Sequence, residues 1–271
     1  MAEIELKIDS KHFIQEAQPV PEVDGSMIDY LRRTYSPVEI FFYAENGWRD
    51  RYSYERFSQQ IDVLMSIENV RDEDVKARYL GDLVALKELR KAGTRLIDCW
   101  KLIDERHAVP KQFEAVVSGI GDLKDEVWFL ESHKRNTDVL FQRMAALEEN
   151  PVPVFSPATF ESFLGMYNKY LNDIKHILSL ESPNLEQHHT LRRRMRTMRH
   201  YFSLMNLVTG GALAKQLSDS IEPISVEMGK AQNRIYVMGI NGGIDIHSDV
   251  TRIQPRHREI IEAFLKLHNN S

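Results

Sequence analysis

The chain has 271 residues with a formal net charge of -5, 42% hydrophobic and 28% charged residues, and one cysteine. This is the balance of a globular protein with ample material for a core. It argues against a general duplex DNA binder, which spreads basic charge over a broad surface. It also excludes an intrachain disulfide or a multi-cysteine metal site.

The first 50 residues offer little regular signal. Glu3 to Ile8 alternates in a strand-like way, and Val38 to Tyr43 (VEIFFY) reads as a short strand. The opening MAEIELKIDSK has no apolar run of the kind a signal peptide carries, and no stretch approaches the roughly 18 apolar residues of a membrane span. A cytoplasmic protein, without membrane contact, is expected.

Helical periodicity dominates from there on. Ser53 to Glu68 and about Glu73 to Glu105 place apolar residues on one side, and Pro110 then breaks the chain. Helices are expected over Lys111 to Ser132 and Thr137 to Glu148. Asn150 to Thr159 (NPVPVFSPAT) holds three prolines and is the best internal boundary. Ala158 to Leu180 resumes the helical pattern and Pro183 ends it. Leu185 to Thr209 follows and stops at Gly210-Gly211. Gly211 to Met238 is helical across Pro223, Asn241-Gly242-Gly243 is a turn, and Arg256 to His268 is the last helix. The expected organisation is an irregular segment over 1–50, a first helical half over 51–149 and a second over 150–271.

Leu185 to Thr209 is the most distinctive stretch. It carries five arginines and three histidines against one acid, on an acidic protein. At about 100° per residue, His189, Arg192, Arg193, Arg196, Arg199 and His200 share an arc of about 120°, with Leu191, Met195, Met198, Phe202 and Met205 opposite. A local cationic stripe of this kind points to an anionic ligand. Guanidinium groups grip phosphate oxygens in pairs, as lysine cannot, and arginines at i, i+4 and i+7 repeat along the axis. The plainer alternative is that these arginines pair with acids on neighbouring helices or face solvent.

The two halves resemble each other. Leu86 to Ile103 precedes Ser118 to Val127, and His189 to Met205 precedes Val226 to Ile235. Arg90 and Arg192 occupy matching places on the long helices, and Gly121 and Gly229 on the helices after them. The small glycines are expected to allow close helix approach. His189, Arg192, Arg196 and Arg199 match a His-x-x-Arg-x-x-x-Arg-x-x-Arg pattern. Ile120-Gly121-Asp122-Leu123-Lys124-Asp125 and Met228-Gly229-Lys230-Ala231-Gln232-Asn233 supply a later Gly motif in each half. By these motifs in this order, residues 50 to 271 resemble the CHAD domain (conserved histidine α-helical domain).

The resemblance implies an all-α fold of two pseudo-symmetric four-helix halves around a basic central groove. It also implies non-catalytic binding of inorganic polyphosphate or a related polyanion. The candidate ligand-binding residues are His189, Arg192, Arg193, Arg196, Arg199 and His200, with Lys169 and Lys175 on the preceding helix. Arg90, Arg95 and Lys87 are the first-half counterparts, and Lys124 and Lys230 sit beside the glycine motifs. The first half departs from the pattern: Lys87 stands in the histidine position, and Thr94 and Ile97 in arginine positions. That erosion supports the alternative of a degenerate helical scaffold that binds a protein partner. Glu3-Ile4-Glu5-Leu6-Lys7 has the ExExK form that opens CYTH triphosphate-tunnel domains, but the chain lacks the charged strands a tunnel needs.

No catalytic residue, metal or cofactor is expected. His188 and His189 point about 100° apart on a helix, whereas a zinc pair wants i, i+4, and surrounding arginines disfavour a dication. No phosphate-cradling glycine loop, nucleophile elbow or Cys-His pair is present.

Overall fold

The computed structural model describes residues 19–23, 25–52, 59, 80–129, 139, 142–143, 145–146, 154–240 and 252–268, the side chains of 80–83, 123–129 and 232–240 excepted. Eight helices lie among the described residues: α1 (Met27–Thr34), α2 (Pro37–Arg49), α3 (Leu80–Ile103), α4 (Lys111–Phe129), α5 (Phe160–Ser179), α6 (Leu185–Thr209), α7 (Ala212–Ile240) and α8 (Pro255–Lys266). No strand occurs among these residues, so the all-α expectation holds there. The Glu3 to Ile8 strand and ExExK motif and the Asn241 turn fall outside the described residues, as do the expected Ser53 to Glu68 helix apart from Gln59 and most of the Thr137 to Glu148 helix.

VEIFFY is not a strand. It lies within α2, whose buried residues are Ile40, Ala44 and Trp48, four apart. Pro37 opens the helix with a preset φ, and Glu39 meets the positive end of the dipole. A run of six residues, five of them β-branched or aromatic, fits both periods, and the burial of every fourth residue decides for the helix.

The chain forms two compact units, Met1–Ile40 with Ala158–Ser271, and Phe41–Pro157. In the first, α6 packs between α5 and α7, α7 meets α8, and α8 returns to α5. Local chemistry sets the ends of α6. The Asn184 side chain accepts from Gln187 N at 2.8 Å while the Gln187 side chain accepts from Asn184 N at 2.8 Å. Gly210 closes the helix in the left-handed region at φ 65°. Pro223 sits inside α7 without ending it.

The core of this unit is the apolar side of α6: Leu191, Met195, Met198, Phe202 and Met205 are all buried. Aromatic rings extend it. Tyr201 stacks near Phe163 and Phe202 packs edge-on to Phe264. Tyr167, wholly buried, reaches His268 Nε2 through its hydroxyl at 2.8 Å. A buried phenol needs such a partner.

The second unit is built on α3 packed against α4, with α2 alongside. Trp48 meets Phe113 edge-on, and Phe41 packs on Trp100 and Phe155. Asp104 closes α3 and is sealed from solvent. Its Oδ1 accepts from Arg106 N and Nε at 3.0 Å each, and its Oδ2 from Arg106 Nη2 at 3.0 Å and Ser156 N at 3.1 Å. Glu105 N donates to Ser156 O at 2.8 Å, so this one carboxylate ties the end of α3 to residues 154–157.

Candidate anion-binding site

The polar side of α6 carries guanidinium groups in four different settings. Arg193 is exposed, with no side-chain partner among the described residues. Arg199 Nη2 lies 3.0 Å from Glu222 Oε1 of α7, in a pair whose carboxylate is 46% exposed. Arg192 lies with its guanidinium against Gly229 of α7. Arg196 is partly covered; like Arg192 and Arg199 it has a partner within the protein. Arg194, outside the expected set, has a structural post: it is 2.8 Å from Asp173 and 3.9 Å above the Tyr170 ring.

The histidines divide differently from the arginines. His189 is half-buried, but His200 is only 6% exposed and belongs to the interior. His188 is 4% exposed, and its Nδ1 meets no hydrogen-bond partner among the described residues. Desolvation pulls its pKa down to about 4, helped by the nearby His257, Arg192 and His189. On α8, buried His257 places Nε2 2.5 Å from Glu227 Oε2 of α7. His257 and Glu227 were not singled out from the sequence, because each acquires meaning only from a residue on another helix.

The remaining candidates are spread out. Lys169 and Lys175 are exposed on α5, and Lys175 lies close enough to His268 to disfavour its protonation. Lys230 is exposed on α7 beside Gly229. In the second unit Lys87 is exposed, and Arg90 lies with its guanidinium against Gly121 of α4. Arg95 is half-buried, and its Nε, closed off from water, finds no partner among the described residues. The Lys124 side chain falls outside the described residues. The structure therefore brings Arg192 and Arg199 to the α6–α7 contact of one unit and Arg90 to the α3–α4 contact of the other, with Lys230 exposed on α7.

Guanidinium and ammonium groups are hydrogen-bond donors of the kind that orient oxyanions. Among the described residues no cluster of three or more His, Cys, Asp or Glu side chains could hold a metal ion. Cys99 is fully buried, and desolvation followed by the Asp98 charge pushes its thiol far up, so it presents no thiolate at neutral pH. No described helix is long and apolar enough to cross a membrane. No protein-family model matches the chain, and neither a curated protein nor a solved structure is significantly similar to it.

Proposed function

We propose that this is a CHAD-like helical domain that binds inorganic polyphosphate or a related polyanion without transforming it. The observation that carries the reading is the polar side of α6, where Arg193 is exposed and Arg192, Arg196 and Arg199 are partly exposed within two turns. The Arg199 pair opposes it in part: Arg199 is 21% and Glu222 46% exposed, so the pair is partly buried and a phosphate oxygen has to take the place of the Glu222 carboxylate. The proposed fold is two pseudo-symmetric four-helix halves with a basic groove. The matching Arg90–Gly121 and Arg192–Gly229 contacts support a duplicated unit.

Titration with long-chain polyphosphate at two salt concentrations tests this. Wild-type affinity is expected to fall with salt. An Arg192→Ala, Arg196→Ala, Arg199→Ala variant is expected to lose about 100-fold or more in affinity, and about 2 in the slope of log K against log salt. No binding by either protein refutes the reading; phosphate release over hours moves the protein to the phosphohydrolases.

The second reading is a helical scaffold for a protein partner. It is favoured by the Arg194–Asp173 and Arg199–Glu222 pairs, which spend two of the guanidinium groups internally. It is favoured also by α2, which leaves Val38, Phe42 and Tyr43 exposed at 59%, 56% and 43%.

A further inference from the structure

Gly121 and Gly229 differ from the other glycines in what stands over them. A Cβ at Gly121 would come within 2.6 to 2.9 Å of Nε, Cζ and Nη2 of Arg90. A Cβ at Gly229 would lie 3.2 to 3.6 Å from Nη2, Nε and Cζ of Arg192. In both cases the neighbour is the guanidinium itself, not the helix backbone and not an aliphatic stem. Gly93 is the contrast. There a Cβ would strike Val117 Cγ2 at 2.5 Å and the Trp48 ring at 2.8 Å, so that glycine serves helix packing. The two guanidinium contacts arise independently, one in each unit, on arginines and glycines that the repeat places in register.

A guanidinium needs this for a physical reason. Its donors lie in one plane and grip an oxyanion only when that plane is held in a defined orientation. A long flexible side chain loses rotamer freedom when it is held, and a flat seat removes part of that cost before the ligand arrives. From these contacts we infer that Gly121 and Gly229 are positioning residues, each a flat seat that orients the arginine above it toward a phosphate oxyanion. This deepens the polyanion reading and rests on it. It also gives the eroded first unit a working contact, since Arg90 keeps its seat although neighbouring motif positions are lost.

The seat differs measurably from packing. A methyl group at Gly121 displaces the end of a flexible side chain, which is cheap, and alanine is the better helix former. Gly121→Ala and Gly229→Ala are therefore expected to leave the urea midpoint unchanged or raised, while Gly93→Ala lowers it. Polyphosphate affinity is expected to fall about tenfold in Gly121→Ala, as much as in Arg90→Ala, with the double variant no weaker than Arg90→Ala alone. The effect at Gly229, with its wider clearance, is smaller in the same direction.

A cycle without ligand completes the test. The gain in urea midpoint from Gly121→Ala should be larger in the Arg90→Ala background, where the space is empty, than in wild type. Equal gains in the two backgrounds overturn the seat, as do glycine variants that bind like a binding wild type. A wild type that fails to bind polyphosphate overturns the oxyanion role along with the polyanion reading, and the cycle then separates a failed ligand from a failed seat.

Discussion

Taking the protein from pH 7 toward pH 4 is expected to remove several kcal/mol of stability, most of it through two imidazoles. His268 accepts from the Tyr167 hydroxyl at Nε2, at 2.8 Å, which leaves its Nδ1–H to donate to Phe264 O at 2.9 Å. Both nitrogens are satisfied in the neutral ring, and a second proton, on Nε2, forces the Tyr167 hydroxyl to give up its donor role. Desolvation, opposed by the Phe264 contact and aided by Lys175, brings its pKa down to about 4. Desolvation does the same to His188, with His257, Arg192 and His189 adding to it.

The direction follows from proton counting. Between about 6.5 and 4 the unfolded chain binds protons at these sites that the folded chain refuses. The contribution is complete above about pH 6.5 and is lost as the pH falls toward 4. At about 1.4 kcal/mol per tenfold change in proton affinity, each group is worth about 3 kcal/mol. Urea midpoints at pH 7, 6, 5 and 4.5 should fall steadily. His188→Leu should flatten that slope by about one proton, because leucine has nothing to titrate. A wild-type midpoint that holds constant from pH 7 to pH 5 would disprove the assignment.

Replacing Asp104 is expected to have an effect of the same order in the other unit. Asp104→Ala should cost about 3 kcal/mol, because it leaves the N–H groups of Arg106 and Ser156 without their acceptor and unties residues 154–157 from the end of α3. Arg106 itself is 51% exposed and regains water, which limits the loss. Asp104→Asn keeps an acceptor and should cost roughly half as much. Burial alone would raise the carboxyl pKa, but the Arg106 guanidinium and the two backbone N–H groups outweigh it and hold it below the usual value. That contribution is present above about pH 4 and disappears as the pH falls through the lower, folded-state value. Trp48 and Trp100 lie in this unit and report its unfolding by fluorescence. An Asp104→Ala midpoint equal to wild type would show that the carboxylate holds nothing together.

The helices were legible wherever the local rules were strong. The Leu185 to Thr209 expectation coincides with α6 because Asn184, Gln187 and Gly210 are end signals that act within a few residues. The Lys111 to Ser132 and Gly211 to Met238 expectations match helices described over Lys111–Phe129 and Ala212–Ile240, and the residues that follow each lie outside the described ones. Val38 to Tyr43 misled because six residues are too few to separate a period of two from one of 3.6. α1 was missed altogether, although Ser26 caps it, because its buried pair, Met27 and Leu31, is a single repeat of the apolar pattern.

The site was legible as a face and not as a set of partners. Composition and the 3.6 period placed four of the five arginines of α6 on one side and its methionines on the other, since both follow from bonds and angles within one helix. Nothing within α6 says that Arg199 meets Glu222, that Arg192 rests on Gly229, or that His188 and not His189 loses its water. Those outcomes depend on α7 and α8, whose approach is set by the packing of the whole unit. Charge pairing and desolvation act through space between groups far apart along the chain, so they were decided only once the helices had come together.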